Sequence, residues 1–246
     1  MPKRVYLFDV DGTLTHHLTE VNEEFADVFL TWLRDKKKTV YLVTGSDISK
    51  TKKQLFTPFI EQCEGAFTCS GNVYYSKGCK VYENKLVLPD DFIDNLQLYL
   101  DVGSSWNKKT GTHIEIRSGM VNFSTVGRNA SAELRETYYK WDQRTHERED
   151  IVAYIEGLYP EFEVSIGGQI SVDIYPSGKN KAQVVEKLRE FHGPDVEMIF
   201  VGDRNVPGGN DWPLAQRLER IDGSTWFQVE SYNETRALIE YSELFI

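Results

Sequence analysis

Apolar and polar positions along the chain fall into three blocks. Val5-Tyr6-Leu7-Phe8 is an unbroken apolar run, the pattern of a strand buried on both faces. From about Val21 the period changes. Val21, Phe25, Val28, Phe29, Trp32 and Leu33 share one face at helical spacing, which predicts a helix packed on a core. Residues 39–44 form a second strand, and Gly45-Ser46-Asp47 opens a helix carrying Ile48, Leu55, Phe56 and Phe59. A short strand over 66–68 leads to a hairpin with a tight turn at Lys77-Gly78. Pro89-Asp90-Asp91 starts a helix with Phe92, Ile93, Leu96 and Leu100 inward. Strands alternating with helices predict an α/β sheet.

The pattern changes after Gly103. Residues 112–117 alternate, Ser118-Gly119 turns, and residues 120–124 return, which reads as an antiparallel hairpin. Ser131 caps a helix marked by Leu134, Tyr138 and Trp141, and a charged stretch over 142–150 separates it from Ile151, Val152, Ile155 and Leu158. A second hairpin runs from Phe162 to Tyr175 through Gly167-Gly168. The α/β pattern then resumes, with a helix over Val184, Val185, Leu188 and Phe191, a buried strand over 197–201, a last strand over 225–229 and a C-terminal helix with Ala237, Leu238, Tyr241 and Leu244. This order predicts an α/β core in two parts, residues 1–85 and 178–246, with an inserted α+β domain at 86–177.

Composition narrows the partners. The 246 residues carry a net charge of −10, which disfavours bulk attraction to nucleic acid or anionic membrane but leaves room for a local basic pocket. No apolar run approaches the length of a membrane span. The motif strand follows Met1-Pro2-Lys3-Arg4 directly, so no signal peptide is expected. Cys63, Cys69 and Cys79 match no metal-binding spacing and read as reduced thiols of a cytoplasmic protein. Three Asn-X-Ser/Thr matches, at Asn122, Asn129 and Asn233, are chance matches without a secretory signal.

The chemistry concentrates where strands end. Asp9 and Asp11 follow the first strand with Val10 between them, so alternation predicts both side chains on one side of a cleft mouth. Paired carboxylates repel and resist desolvation, and a hard cation such as Mg2+ relieves both costs. Thr44 and Ser46 stand at the second strand end and a helix N-terminus, a natural anion site; either hydroxyl can serve. Asp203 ends the strand over 197–201 and could complete a set of acids with the first pair. Asp211 is expected to support or cap, and Lys181 opens a helix. His16-His17 reads as an exposed loop at the cleft rim.

The string Asp9-Val10-Asp11-Gly12-Thr13-Leu14-Thr15 resembles the first motif of the haloacid dehalogenase (HAD) superfamily of phosphotransferases. The resemblance implies a HAD-like Rossmannoid core with a parallel sheet, plus an inserted cap with an antiparallel sheet. It makes Asp9 the nucleophile that forms a phosphoaspartate and Asp11 the general acid/base. Mg2+ would be held by Asp9, the Asp11 carbonyl and Asp203, with Ser46 and Lys181 on the phosphoryl group. Three further strings resemble the eukaryotic-type phosphomannomutases almost end to end: residues 111–128, residues 165–176, and Phe200-Val201-Gly202-Asp203 with Pro207-Gly208-Gly209-Asn210-Asp211. By that likeness Arg117, Arg128 and Arg135 hold the non-reacting phosphate, and Ser171 and Asp173 hold sugar hydroxyls.

The implied activity is exchange of mannose 6-phosphate and mannose 1-phosphate. A hexose 1,6-bisphosphate is activator and intermediate, hexose phosphates are the partners, and a homodimer through the cap is expected. Three places depart from the family pattern: Leu18 stands where an arginine is usual, Cys69-Ser70-Gly71 replaces Glu-Asn-Gly, and Gly178-Lys179-Asn180-Lys181 replaces Gly-Trp-Asp-Lys. The missing arginine favours a Mg-dependent sugar-phosphate phosphatase as the alternative. A receiver-like phospho-Asp switch is disfavoured by the cap and its arginines.

Overall fold

The structure, a computed structural model, describes residues 3–17 and 19–245; Leu18 therefore lies outside the described residues. The chain divides into two compact units, Met1–Glu83 with Lys179–Ile246, and Asn84–Gly178.

The first unit is built on a seven-stranded sheet. Its strands are β1 (Arg4–Phe8), β2 (Thr39–Val43), β3 (Gly65–Thr68), β4 (Val73–Ser76), β5 (Cys79–Glu83), β10 (Glu197–Gly202) and β11 (Thr225–Gln228). The order is β11-β10-β1-β2-β3-β4-β5. The five strands from β11 to β3 are parallel, and the β4–β5 hairpin adds an antiparallel edge. Alternate residues of β1 feed two cores: Tyr6 and Phe8 pack with α1 (Glu23–Asp35) and α8 (Tyr232–Tyr241), while Val5 and Leu7 pack with α6 (Val184–His192) and α7 (Trp212–Leu218). Helices therefore cover both faces, as an apolar parallel strand requires. The helix α2 (Ile48–Gln62) breaks at Phe56, whose backbone is at φ +40° and ψ 150°. Pro58 lies just beyond and disfavours helix before it. Phe56 is consequently 41% exposed rather than inward.

The second unit is an α+β domain. A four-stranded antiparallel sheet, order β6-β7-β9-β8, comprises β6 (Ile114–Arg117), β7 (Met120–Phe123), β8 (Phe162–Gly167) and β9 (Ser171–Pro176). Val121, Phe123, Val172 and Ile174 pack one face against α3 (Phe92–Leu98) and α5 (Glu147–Leu158). The charged stretch over 142–150 is not a spacer. The helix α4 (Ala132–Thr145) meets α5 at a single residue, His146, in the left-handed region. Charges of this stretch turn inward in pairs: Arg148 Nε donates to Asp142 Oδ2 at 2.8 Å, and the buried Glu147 accepts from Thr125 Oγ1 at 2.6 Å and Tyr138 OH at 2.8 Å. The short α7 carries a proline in its first turn, and the apolar pattern leaves it unmarked. Among the described residues no helix is long and apolar enough to cross a membrane.

Candidate active site

Parallel pairing brings the motif ends together. β1 lies between β10 and β2, with Phe8 opposite both Val201 and Leu42. The Asp9 N–H continues the ladder to Val201 O at 3.0 Å, so Asp9 and Asp203 leave neighbouring strands at the same level. After Asp9 the strand ends and the chain folds back, with the N–H groups of Thr13, Leu14 and Thr15 all directed at Val10 O. Alternation no longer applies past that point, and the two motif acids go different ways.

Asp9 faces an acidic centre. One carboxylate oxygen each from Asp9, Asp203 and Asp211 lie within 4.8 Å of one another. Lys181 enters this centre fully buried, donating to Asp9 Oδ1 at 2.6 Å and to Asp211 Oδ1 at 2.5 Å. Asp211 Oδ2 accepts the Arg204 N–H at 3.0 Å. Two carboxylates thus share one ammonium, with Asp203 beside them. Burial raises the Asp9 pKa from 3.8 to about 7, outweighing the pull of Lys181, and Asp211 nearby adds to the rise. Burial, then Asp211 and Asp9, also hold Asp203 well above the carboxylate range. Lys181 stays protonated: its pKa lies above the ordinary lysine value because Asp211 and Asp9 outweigh burial. Three carboxyl groups around one ammonium, oxygen donors only, fit a hard divalent cation that can displace their protons. Gly12 completes the packing. At φ +88°, any Cβ there would lie 2.5 Å from Asp203 Oδ2.

Asp11 turns to the first turns of α2. Lys50 Nζ donates to Asp11 Oδ2 at 2.5 Å, Ser46 Oγ to the same oxygen at 3.2 Å, and Gln54 Nε2 to Oδ1 at 2.9 Å. Lys50 and Gln54, four residues apart in α2, share one helical face, and Ser46 lies just before the Asp47 cap. Lys50 and Gln54 went unnoticed in the sequence, although that spacing was their signal. Asp47 is the helix cap, accepting the Lys50 N–H at 2.8 Å. Thr44 Oγ1 accepts the Ser46 N–H at 3.1 Å, so of the two hydroxyls it is Ser46 that reaches an acid. The Cys69-Ser70-Gly71 departure braces the same loops: the Ser70 N–H donates to Thr44 O and Gln183 Nε2 to Ser70 O, each at 2.9 Å. His17 stands at the rim with Nε2 3.8 Å from Asp203 Oδ2, while His16 packs edge-on against Tyr232.

The α+β unit gathers its own set. Arg117 is paired with Glu115, and Arg128 Nε approaches the same carboxylate at 3.9 Å. Arg135 is anchored through Nε to Ala130 O at 2.9 Å and through a second nitrogen to Arg128 O. Arg117 and Arg128 therefore converge on Glu115, and Arg135 braces the Arg128 backbone. On β9, Ser171 Oγ donates to Gly167 O at 3.3 Å, and Asp173 Oδ1 accepts from Asn122 Nδ2 at 2.7 Å.

The family model for eukaryotic phosphomannomutase matches residues 26–242. A phosphomannomutase of Arabidopsis thaliana is 34% identical over 97% of this chain and 97% of its own length. One from Solanum lycopersicum is 36% identical over 98% and 94%. Among solved structures, the C-terminal domain of C. albicans trehalose-6-phosphate phosphatase superposes with a TM-score of 0.59 at 20% identity, covering 94% of this chain and 80% of that one. That last likeness speaks for the HAD-type fold alone.

Proposed function

The chain belongs to the eukaryotic phosphomannomutase family, and on that premise we propose that it interconverts mannose 6-phosphate and mannose 1-phosphate through a phosphoaspartate on Asp9. The observation that carries this reading is the buried Lys181 shared by Asp9 and Asp211, with Asp203 beside them. Asp9, Asp203 and Asp211 are the side chains that would hold Mg2+, with the Asp11 carbonyl as a further oxygen. When bound, the ion neutralises charge on the phosphoryl oxygens and keeps Asp9 ionised.

Asp9 attacks phosphorus. The P–O bond to the donor hexose breaks as the P–Oδ bond forms, and Asp11 gives its proton to the departing oxygen. In the second half the acceptor hydroxyl loses its proton to Asp11 and takes the phosphoryl group from Asp9. Lys181 holds the attacking carboxylate in place, and Asp11 takes up the proton it gives on leaving the Lys50 and Ser46 donors that engage it here. Arg117, Arg128 and Arg135 supply fixed-charge donors for the distal phosphate, with Ser171 and Asp173 for sugar hydroxyls. A hexose 1,6-bisphosphate, phosphorylated at both ends, is the activator and intermediate.

A coupled assay tests the reading. With Mg2+ and a catalytic amount of glucose 1,6-bisphosphate, mannose 6-phosphate should convert to mannose 1-phosphate without stoichiometric phosphate release. Release of inorganic phosphate with no isomerisation would reject the mutase and leave a sugar-phosphate phosphatase.

A further inference from the structure

One face of the α+β sheet carries a polar row that runs straight across the strands. Glu115 on β6 lies opposite Asn122 on β7, Asn122 opposite Asp173 on β9, and Asp173 opposite Ser165 on β8. Directly opposed residues share a face with their Cβ atoms about 5 Å apart. At one end of the row Glu115 engages Arg117. At the other, the Ser165 hydroxyl is taken by Tyr175 OH. Asn122 therefore stands between two carboxylates, one tied to the arginines and the other assigned to the sugar.

Its amide orientation is determined by its neighbours. Asn122 Nδ2 donates to Asp173 Oδ1 at 2.7 Å and lies 3.5 Å from Val172 O. Both are acceptors, so a flipped amide would set oxygen against oxygen. The consequence is a buried Asn122 Oδ1 with no hydrogen-bond partner, an arrangement that costs stability. Asp173 keeps 4% of its surface exposed. Among the described residues its side chain accepts a hydrogen bond from Asn122 alone. The second oxygen, Oδ2, lies over Gly167, where a Cβ would come within 2.8 Å of it. Gly167 has no need of glycine for its own backbone, since its φ is not in the left-handed region. What the missing Cβ leaves is room for Asp173 Oδ2.

The geometry points to Asn122 and Gly167 as positioning residues that aim Asp173. Asn122 occupies Oδ1 with a cross-strand amide, and Gly167 leaves Oδ2 clear to accept a hexose hydroxyl. Hexose discrimination then depends on two residues that need not touch the sugar. The inference rests on the mutase reading, because it takes Asp173 as the sugar-facing acid.

Asn122→Ala and Gly167→Ala test it in the full-length, Mg2+-loaded protein. Loss of a hydrogen bond to a charged group weakens binding by roughly 10- to 100-fold. Both variants should raise KM for mannose 6-phosphate by about that factor, lower kcat less, and narrow the preference for mannose 6-phosphate over its 2-epimer glucose 6-phosphate. The Kd for inorganic phosphate, measured calorimetrically, should stay at the wild-type value, because the arginines are untouched. A merely structural role would lower melting temperature and kcat while leaving the epimer ratio in place. Gly167→Ala displaces only the end of one side chain, so it reports even if Asn122→Ala fails to fold. Variants that keep the wild-type KM and epimer ratio would overturn the proposal. Wild-type protein that neither binds nor converts hexose phosphates would instead sink the mutase reading, and this inference with it.

Discussion

Each unit of the molecule buries a cation against carboxylate, and the two centres end differently. In the cap, Arg148 is 2% exposed and meets one acid: Nε bonds Asp142 Oδ2, Nη1 bonds Gly168 O, and its own N–H bonds Asp142 Oδ1. One charge cancels one charge. In the core, Lys181 is equally buried but faces Asp9 and Asp211, with Asp203 completing the cluster. Three acids against one ammonium leave more carboxyls than cations, and burial meets that by raising the pKa values of Asp9 and Asp203. A closed pair has its role in holding α4 to α5. An open one can exchange its protons for a divalent cation, because buried carboxyls without a partner charge are costly to ionise.

The sharpest way to break this distinction is to remove each cation. Lys181→Met and Arg148→Met should each cost about 3–5 kcal/mol in the metal-free protein, the usual result of stranding a buried acid. They should part company when Mg2+ is added. Ligand binding to the folded state stabilises it by mass action, so Lys181→Met should recover much of its melting temperature, whereas Arg148→Met should gain no more than wild type. Lys181→Met should also abolish turnover even when refolded by the ion. Equal responses to Mg2+ in the two variants would show that the core centre is as closed as the cap's.

Proton linkage gives a second, smaller contrast. Asp9 is raised from 3.8 to about 7 by burial, with Asp211 adding to the rise. Between those values the folded chain keeps a proton that the unfolded chain has released. Metal-free stability should therefore fall as pH rises from about 4 to about 7, by on the order of 3 kcal/mol for this group. Mg2+ must displace the proton, so its affinity should climb across the same window. Thermal melts at pH 5 and pH 8, each with and without Mg2+, read both trends. A stabilisation by Mg2+ as large at pH 5 as at pH 8 would contradict them.

How far each centre could be read from sequence follows the same division. Asp9 and Asp203 were legible because each ends an apolar strand, and adjacent parallel strands bring such ends level. Lys181 was legible through the family likeness, although burial of the whole side chain was not. Asp211 looked like a supporting acid, yet its carboxylate joins the cluster, because the loop after β10 folds its acid back to the strand end. Lys50 and Gln54 carried a signal in their four-residue spacing, but that Asp11 turns to meet them is not written in it. The cap pair was illegible for a plainer reason. Apolar periodicity treats every charge as solvated, so Asp142, Glu147 and Arg148 read as a surface spacer. Phe56 misled in the opposite sense: its apolar side chain suited the helix face, while the backbone breaks there.

The smallest effect is the most discriminating. If the cap centre is structural only, its charges can be removed together. Asn at position 142 keeps an acceptor for the Arg148 N–H, and Met at 148 keeps most of the buried volume. The double variant Asp142→Asn/Arg148→Met should therefore fall within about 1 kcal/mol of wild type, since well-packed neutral replacements of buried pairs are often close to neutral, and its kcat should be unchanged. The matching core variant, Asp9→Asn/Lys181→Met/Asp211→Asn, should be at least as stable as metal-free wild type for the same reason. It should also be inert and indifferent to Mg2+. Stability gained and function lost together in the core, with neither changed in the cap, is what separates charge kept for chemistry from charge kept for packing.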